Sequence, residues 1–121
     1  MYKDRLAIDY LNDILESIED IREFTAGIDY DAFIKDRKTM KAVVRSLEVI
    51  GEAAKNIPAS LKENHTEIPW QEIIGMRNKI THEYFGIDFD IVWQSAQEDL
   101  SPLESAIKKI IMDIESNNPE K

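Results

Sequence analysis

The sequence predicts an all-α protein, an up-and-down bundle of four main helices joined by short helical turns. Three observations carry that expectation. Nearly every long segment repeats its apolar residues at helical spacing, no run alternates β-branched with polar residues, and only four glycines and four prolines punctuate the 121 residues. The length is that of one ordinary domain, expected to bury roughly 60% or more of its unfolded surface. A single helical domain is expected over residues 1–116, with 117–121 as a flexible tail.

The first helix is expected from Lys3 to Thr25. Leu11, Ile14, Ile18, Ile21 and Thr25 follow a 3-4-3-4 spacing, with Ala7 one turn earlier, which makes a narrow apolar seam. Asp9, Asp13, Glu16, Glu19, Asp20 and Glu23 make the other face acidic, and Gly27 ends the helix. A short turn of helix follows Asp29 and should bury Tyr30, Phe33 and Ile34. The second long helix covers Asp36 to Ile57, with Met40, Val43, Val44, Leu47, Ile50, Ala54 and Ile57 on its core face and Pro58 as its stop. A brief turn around Ser60 to Asn64 comes next. The third main helix starts at Ile68-Pro69-Trp70, with proline at the first helical position, where its missing N–H is no loss. It carries Trp70, Ile73, Ile74, Ile80 and Tyr84 and ends at Gly86. Asp88 caps a fourth helix bearing Val92, Trp93, Ala96 and Leu100. Ser101-Pro102-Leu103-Glu104 reads as a capping box with proline at N1, so a kink or restart is expected there. Leu103, Ile107, Ile110, Ile111 and Ile114 continue the core face.

Composition excludes several classes of function. Fifteen basic against 24 acidic residues give a net charge of −9, a surface that repels nucleic acid at long range. Any RNA or DNA role therefore needs a local basic patch or the paired surface of an oligomer. The absence of cysteine removes disulfides, thiolate catalysis, zinc fingers and iron–sulfur clusters. No apolar run approaches the roughly 18 residues of a membrane span, and Met1-Tyr2-Lys3-Asp4-Arg5 leads into a charged amphipathic stretch rather than a signal core. A cytoplasmic location without membrane partners is the expectation.

The chemistry-bearing segment is Gly75-Met76-Arg77-Asn78-Lys79-Ile80-Thr81-His82-Glu83-Tyr84-Phe85. On a regular helix Asn78 and His82 are neighbours at i, i+4, and Arg77, Thr81 and Tyr84 share the adjoining face. Arg77 and His82 then stand about 140° apart, so one helix does not aim both at a small target, whereas a groove between two copies collects both. These residue types suit phosphodiester cleavage. An arginine fork grips phosphate oxygens and stabilises transition-state charge, and histidine moves a proton near neutral pH. Asn78 can hold the phosphate or fix the imidazole tautomer. With RNA, the ribose 2′-hydroxyl is the nucleophile and no metal is required. Spacing alone leaves a plainer reading open: an arginine and a histidine paired with surface acids, Asn78 as an ordinary polar position, and Tyr84 as a core residue with its hydroxyl at the rim.

Arg77, His82 and Tyr84 in the pattern Arg-x4-His-x-Tyr, with Asn78 after the arginine, resemble the motif of the HEPN superfamily. More closely, residues 4 to 115 resemble the HepT-like toxin ribonucleases, through Arg45-Ser46-Leu47-Glu48-Val49-Ile50-Gly51-Glu52-Ala53, the Ile68-Pro69-Trp70 entry and Gly75-Met76-Arg77-Asn78. The resemblance implies a HEPN-like bundle, a homodimer whose motif helices form a composite RNA-cleaving cleft, and catalysis by Arg77, His82 and Asn78 without cofactor or metal. It also implies a type VII-like toxin–antitoxin pair. The partner would be a minimal nucleotidyltransferase antitoxin of the MntA type that silences the toxin by transferring AMP to Tyr84. The alternative from another class is a non-catalytic nucleotide-binding or adaptor subunit that holds a nucleotide and such a nucleotidyltransferase, and a third is a plain structural dimer.

Two further features stand outside the motif. Residues 35–45 hold Lys35, Arg37, Lys38, Lys41 and Arg45 against the single acid Asp36. Cations near a helix N-terminus oppose the helix dipole, so phosphate, an acidic partner or the acidic face of the first helix must favour them. Lys38, Lys41 and Arg45 are candidate RNA contacts. Glu48 and Glu52, one turn apart, either orient the Arg77 guanidinium or are solvated. His65 and His82 with Glu67, Glu72 and Glu83 match no recognised metal-ligand spacing.

Overall fold

The computed structural model of the chain describes residues 6–76, 81–82 and 86–116. The chain is all-α: α1 (Ala7–Thr25), α2 (Tyr30–Lys35), α3 (Arg37–Lys55), α4 (Ala59–Glu63), α5 (Trp70–Ile74), α6 (Phe89–Glu98) and α7 (Leu100–Ser116). One antiparallel pair of two-residue strands, β1 (Thr81–His82) and β2 (Gly86–Ile87), interrupts them.

The apolar seam of α1 is the centre of the core. Leu11, Ile14, Ile18 and Ile21 are wholly buried and pack along α3, whose Val43, Leu47, Ile50 and Ala54 are buried in turn. Burying such side chains stabilises the fold by about 1.5–3 kcal/mol each. α7 closes on α1 with Leu103, Ile107 and Ile110, and α6 adds Val92 and Ala96 between α3 and α7. Thr25 is only half-buried and turns its hydroxyl back to the Ile21 carbonyl at 2.8 Å. Gly27, at φ +76°, turns the chain out of α1 through the left-handed region.

The caps follow the sequence closely. Asp29 accepts the Ala32 N–H at 2.9 Å to start α2, Asp36 accepts the Thr39 N–H at 3.1 Å to start α3, and Asp88 accepts the Asp90 and Ile91 N–H groups to start α6. The Thr39 hydroxyl also donates to Asp36 and holds its carboxyl below the usual range.

Four expectations need correction. The third helix does not run from Pro69 to Tyr84: Pro69 is the cap rather than the first helical residue, α5 ends at Gly75, and Thr81–His82 is strand. Gly86, at φ +83°, provides the left-handed residue beside which Thr81 pairs with Ile87 and His82 with Gly86. Four long helices remain because the expected fourth divides into α6 and α7. That restart falls at Leu100, ahead of the expected cap. Ser101 and Glu104 are engaged elsewhere: Arg22 of α1 donates to the Ser101 hydroxyl at 3.0 Å and to the Glu104 carboxylate at 2.7 Å. Ile34 is 39% exposed, since a six-residue helix buries one face and Phe33 occupies it. The expected helix start at Lys3 and the tail at 117–121 lie outside the described residues.

The Arg22–Glu104 pair ties α1 to α7, and Lys108 joins it at 3.4 Å. The Arg22 hydrogen bond holds the Glu104 carboxyl below its ordinary range, with burial opposing. The ionised form is therefore favoured by folding. Its contribution is present above the unfolded glutamate value of about 4.3 and is lost as pH falls through the lower folded value. Arg22→Met is expected to lower unfolding free energy by about 0.5–1 kcal/mol at pH 7, the scale of a partly solvated pair. The difference from the parent should shrink below about pH 4. Urea denaturation at pH 7 and pH 3 measures it, and a difference that does not change with pH would show that Arg22 acts through packing instead.

Candidate functional site

The motif segment is entered from α5, and α5 is held in three ways. The indole N–H of Trp70 donates to the His65 carbonyl at 3.0 Å in the interior. Ile73 and Met76 are buried, 6% and 7% exposed. Gly51, in the middle of α3, brings the two backbones together: a Cβ at position 51 would lie 3.2 Å from the Ile73 carbonyl oxygen and 3.5 Å from that of Ile74. A glycine inside a helix costs about 0.5–1 kcal/mol relative to alanine, and here it allows the close approach of α5. Met76 thus leaves a fixed platform directly before Arg77. Gly51 and Met76 both fall in the stretches that carry the resemblance, but the sequence assigns them no role; the helix-interior glycine is the signal that points to the close approach at Gly51.

Of the expected catalytic group, Arg77, Asn78 and Tyr84 lie outside the described residues, as do Ile80 and Glu83. His82 sits in β1, its backbone paired with Gly86. The relations that assumed a regular helix through Thr81 and His82, namely the i, i+4 pairing of Asn78 with His82, the shared face of Arg77, Thr81 and Tyr84, and the 140° offset, therefore do not apply to this chain. The chain has left the helix by Thr81.

The structure brings the basic residues together. Arg37, Lys38, Lys41 and Arg45 are all exposed on α3. Arg45 meets Glu48 at 3.7 Å, while among the described residues Arg37, Lys38 and Lys41 have no carboxylate within 4.0 Å. The acidic face of α1 does not take them up. Glu48 is thus turned to Arg45, and Glu52 is exposed.

A cavity of about 250 Å³ opens beside α5. Ile50, Ile68, Ile73, Met76, Leu100 and Leu103 form its apolar wall, and Glu67, Glu72 and Asp99 line it with negative charge. That charge is the wrong sign for phosphate. His65 is nearly buried, with Nδ1 3.6 Å from Glu67 and Nε2 3.9 Å from Asp113. Among the described residues no three histidine, aspartate or glutamate side chains converge as a metal-binding group. None of the helices among them is long and apolar enough to cross a membrane.

A family model described as Ribonuclease HepT-like matches residues 14–110, which contain the whole motif segment. The chain belongs to the ribonuclease HepT-like family. It is 49% identical over 102 residues to a protein of Thermococcus cleftensis named "Probable ribonuclease HepT", covering 84% of this chain and 93% of the relative. A protein of Caldanaerobacter subterraneus subsp. tengcongensis, named as a candidate RNase, is 44% identical over 102 residues, 84% of this chain and 91% of the relative. Another candidate RNase, of Methanocaldococcus jannaschii, is 44% identical over 109 residues, 90% of each chain. No solved structure matches this HepT-like chain significantly. The similarity thus covers most of the chain, including the segment that holds Arg77, Asn78, His82 and Tyr84.

Proposed function

We propose that this HepT-like chain is a metal-independent endoribonuclease that acts in a homodimer and is switched off by a nucleotidyltransferase. The observation that carries the reading is the family match over residues 14–110, a span that includes Arg77, Asn78, His82 and Tyr84. In the proposed reaction the ribose 2′-oxygen attacks the adjacent phosphorus and gives up its proton, and the bond from phosphorus to the 5′-oxygen breaks. That oxygen takes a proton as it leaves, and a 2′,3′-cyclic phosphate remains. Arg77 binds the phosphate oxygens and offsets the charge that builds on them. His82 moves one of the two protons as general acid or base. Asn78 holds the phosphate or the imidazole. The second copy completes the cleft. The test is purified protein with single-stranded RNA in the presence of a chelator: cleavage is expected, and RNA that stays intact at every enzyme concentration overturns the reading.

Control is proposed at Tyr84. A minimal nucleotidyltransferase of the MntA type would join the phenolic oxygen to the α-phosphorus of ATP, releasing pyrophosphate and the phenolic proton. The product would carry a bulky anion two residues after His82 in the sequence, where it would oppose the binding of RNA phosphate. Tyr84→Phe is expected to fold normally, cleave RNA and escape this inactivation. Mass spectrometry after co-expression with the transferase measures it, and adducts confined to Tyr2, Tyr10 or Tyr30 in a silenced enzyme place the control elsewhere.

A further inference from the structure

The exposed stripe of α3 carries a charge pattern that the fold does not use. At 100° per residue, Arg37, Lys38, Lys41 and Arg45 fall within about 100° of one another, while Met40, Val43, Leu47 and Ile50 on the other side of the same helix are buried. The stripe extends about 12 Å from Arg37 to Arg45 at 1.5 Å per residue. Beyond it, on the same arc, the sign reverses at Glu48 and Glu52.

Arg37 and Lys38, in the first turn of α3, oppose its dipole, and the four cations repel one another. The local anions relieve them only in part, the charge of Lys38 acting on the Asp36 carboxylate. The Asp36 carboxylate accepts from the N–H and hydroxyl of Thr39 as the helix cap. Glu48 reaches only Arg45, whose side chain is still 73% exposed. A chain of net charge −9 thus keeps four cations in one solvent-facing row, against the preference of its own helix.

We infer that Arg37, Lys38, Lys41 and Arg45 form a backbone-binding track for single-stranded RNA, separate from the motif, that holds the substrate strand along α3. The inference rests on the ribonuclease reading for its choice of polyanion. A strand stacked at about 3.4 Å per nucleotide presents three or four phosphates over this length, one for each cation. The track offers only cations, which bind the phosphates of any sequence, so its main contribution is affinity. Glu48 and Glu52 end it by repulsion, so the strand leaves α3 before the point where α5 rests on Gly51. Because the same helix bears the track and that contact, the bound strand is held in fixed relation to the segment entering the motif.

The test is binding of a fluorescein-labelled 12-nucleotide polyuridine with every 2′-oxygen methylated, which cannot be cleaved by 2′-hydroxyl attack. Anisotropy is followed across a salt series for the parent, Lys38→Gln, Lys41→Gln and the double variant. Each lost phosphate contact should reduce the slope of log affinity against log salt by about 0.7, so the double variant should differ from the parent by about 1.4. Thermal midpoints should stay level or rise, because each substitution removes a cation from a row of like charges and Lys38→Gln also removes one from the first turn of the helix. A merely structural role for the lysines would lower them. Unchanged affinity and slope in the double variant, with a parent that cleaves unmodified RNA, overturn the track and leave the ribonuclease reading in place. A parent that cleaves no RNA yet binds the probe with the expected slope changes overturns that reading and leaves the track. The same slope changes with polyglutamate but not with RNA overturn the choice of occupant in favour of an acidic protein.

Discussion

His82→Ala and Arg77→Ala should each abolish most RNA cleavage while leaving the helical fold intact. Removing a positioned proton-transfer group costs about 10²- to 10⁴-fold in rate, and losing a preorganised charge partner of the transition state costs about 10²- to 10³-fold. The two variants should differ in kind. Arg77→Ala loses phosphate binding as well as transition-state charge, so KM should rise along with the fall in kcat; Arg77→Lys should recover part of the binding but not the paired donors of the guanidinium. His82→Ala should act mainly on kcat and remove one limb of the pH–rate profile. Single-turnover cleavage of a labelled RNA with chelator present, alongside circular dichroism, measures both. A His82→Ala protein that cleaves at the parental rate removes histidine from the reaction and returns this residue to an ordinary polar position.

Phe33→Ala should cost about 3–5 kcal/mol, the range for emptying a buried phenylalanine site. That is a large share of the 5–15 kcal/mol of a typical domain. α2 has six residues, too few to persist as a helix in water, and Phe33 is its buried residue. The ring is wholly enclosed, 5.0 Å from Trp93 and edge-on to Phe89 at 6.5 Å between centroids. Tyr30 adds an edge contact to Trp93 at 6.2 Å, and its hydroxyl donates to Asp90. Removing Phe33 takes the anchor from α2 and one wall of the Trp93 site on α6 together. Guanidinium denaturation is the measurement. A loss below 1 kcal/mol would mean that the neighbouring rings collapse into the vacated space.

The core was legible in the sequence wherever helical period continued without interruption. Leu11, Ile14, Ile18 and Ile21 of α1 and Met40 through Ile57 around α3 are buried as their spacing implies, because two long amphipathic faces have little choice but to meet. Legibility ended where distant residues decided. Ser101 and Glu104 have the pattern of a local cap, but an arginine some 80 positions away takes both. Between Trp70 and Gly86 the apolar spacing fits a continuous helix, and a left-handed Gly86 reads equally well as a helix stop or as part of a strand pair. Local pattern does not separate those outcomes. The candidate site divides in the same way. The identities of Arg77, Asn78, His82 and Tyr84 suit a reaction but single it out only through the family resemblance they carry, whereas the angular argument built on them presumed a helix that the chain leaves by Thr81.

Where α3 meets α5 at Gly51, main chain faces main chain, with the Ile73 and Ile74 carbonyls in the space a methyl would occupy. Side-chain contacts between helices act as springs, because rotamers shift to absorb small rotations and slides. Two backbones in direct apposition have no such compliance. The spacing of α3 and α5 is therefore set by main-chain contact at position 51 rather than by side-chain packing there. The joint lies just ahead of residue 77 in the sequence, so the spacing of the two helices is set before the motif begins.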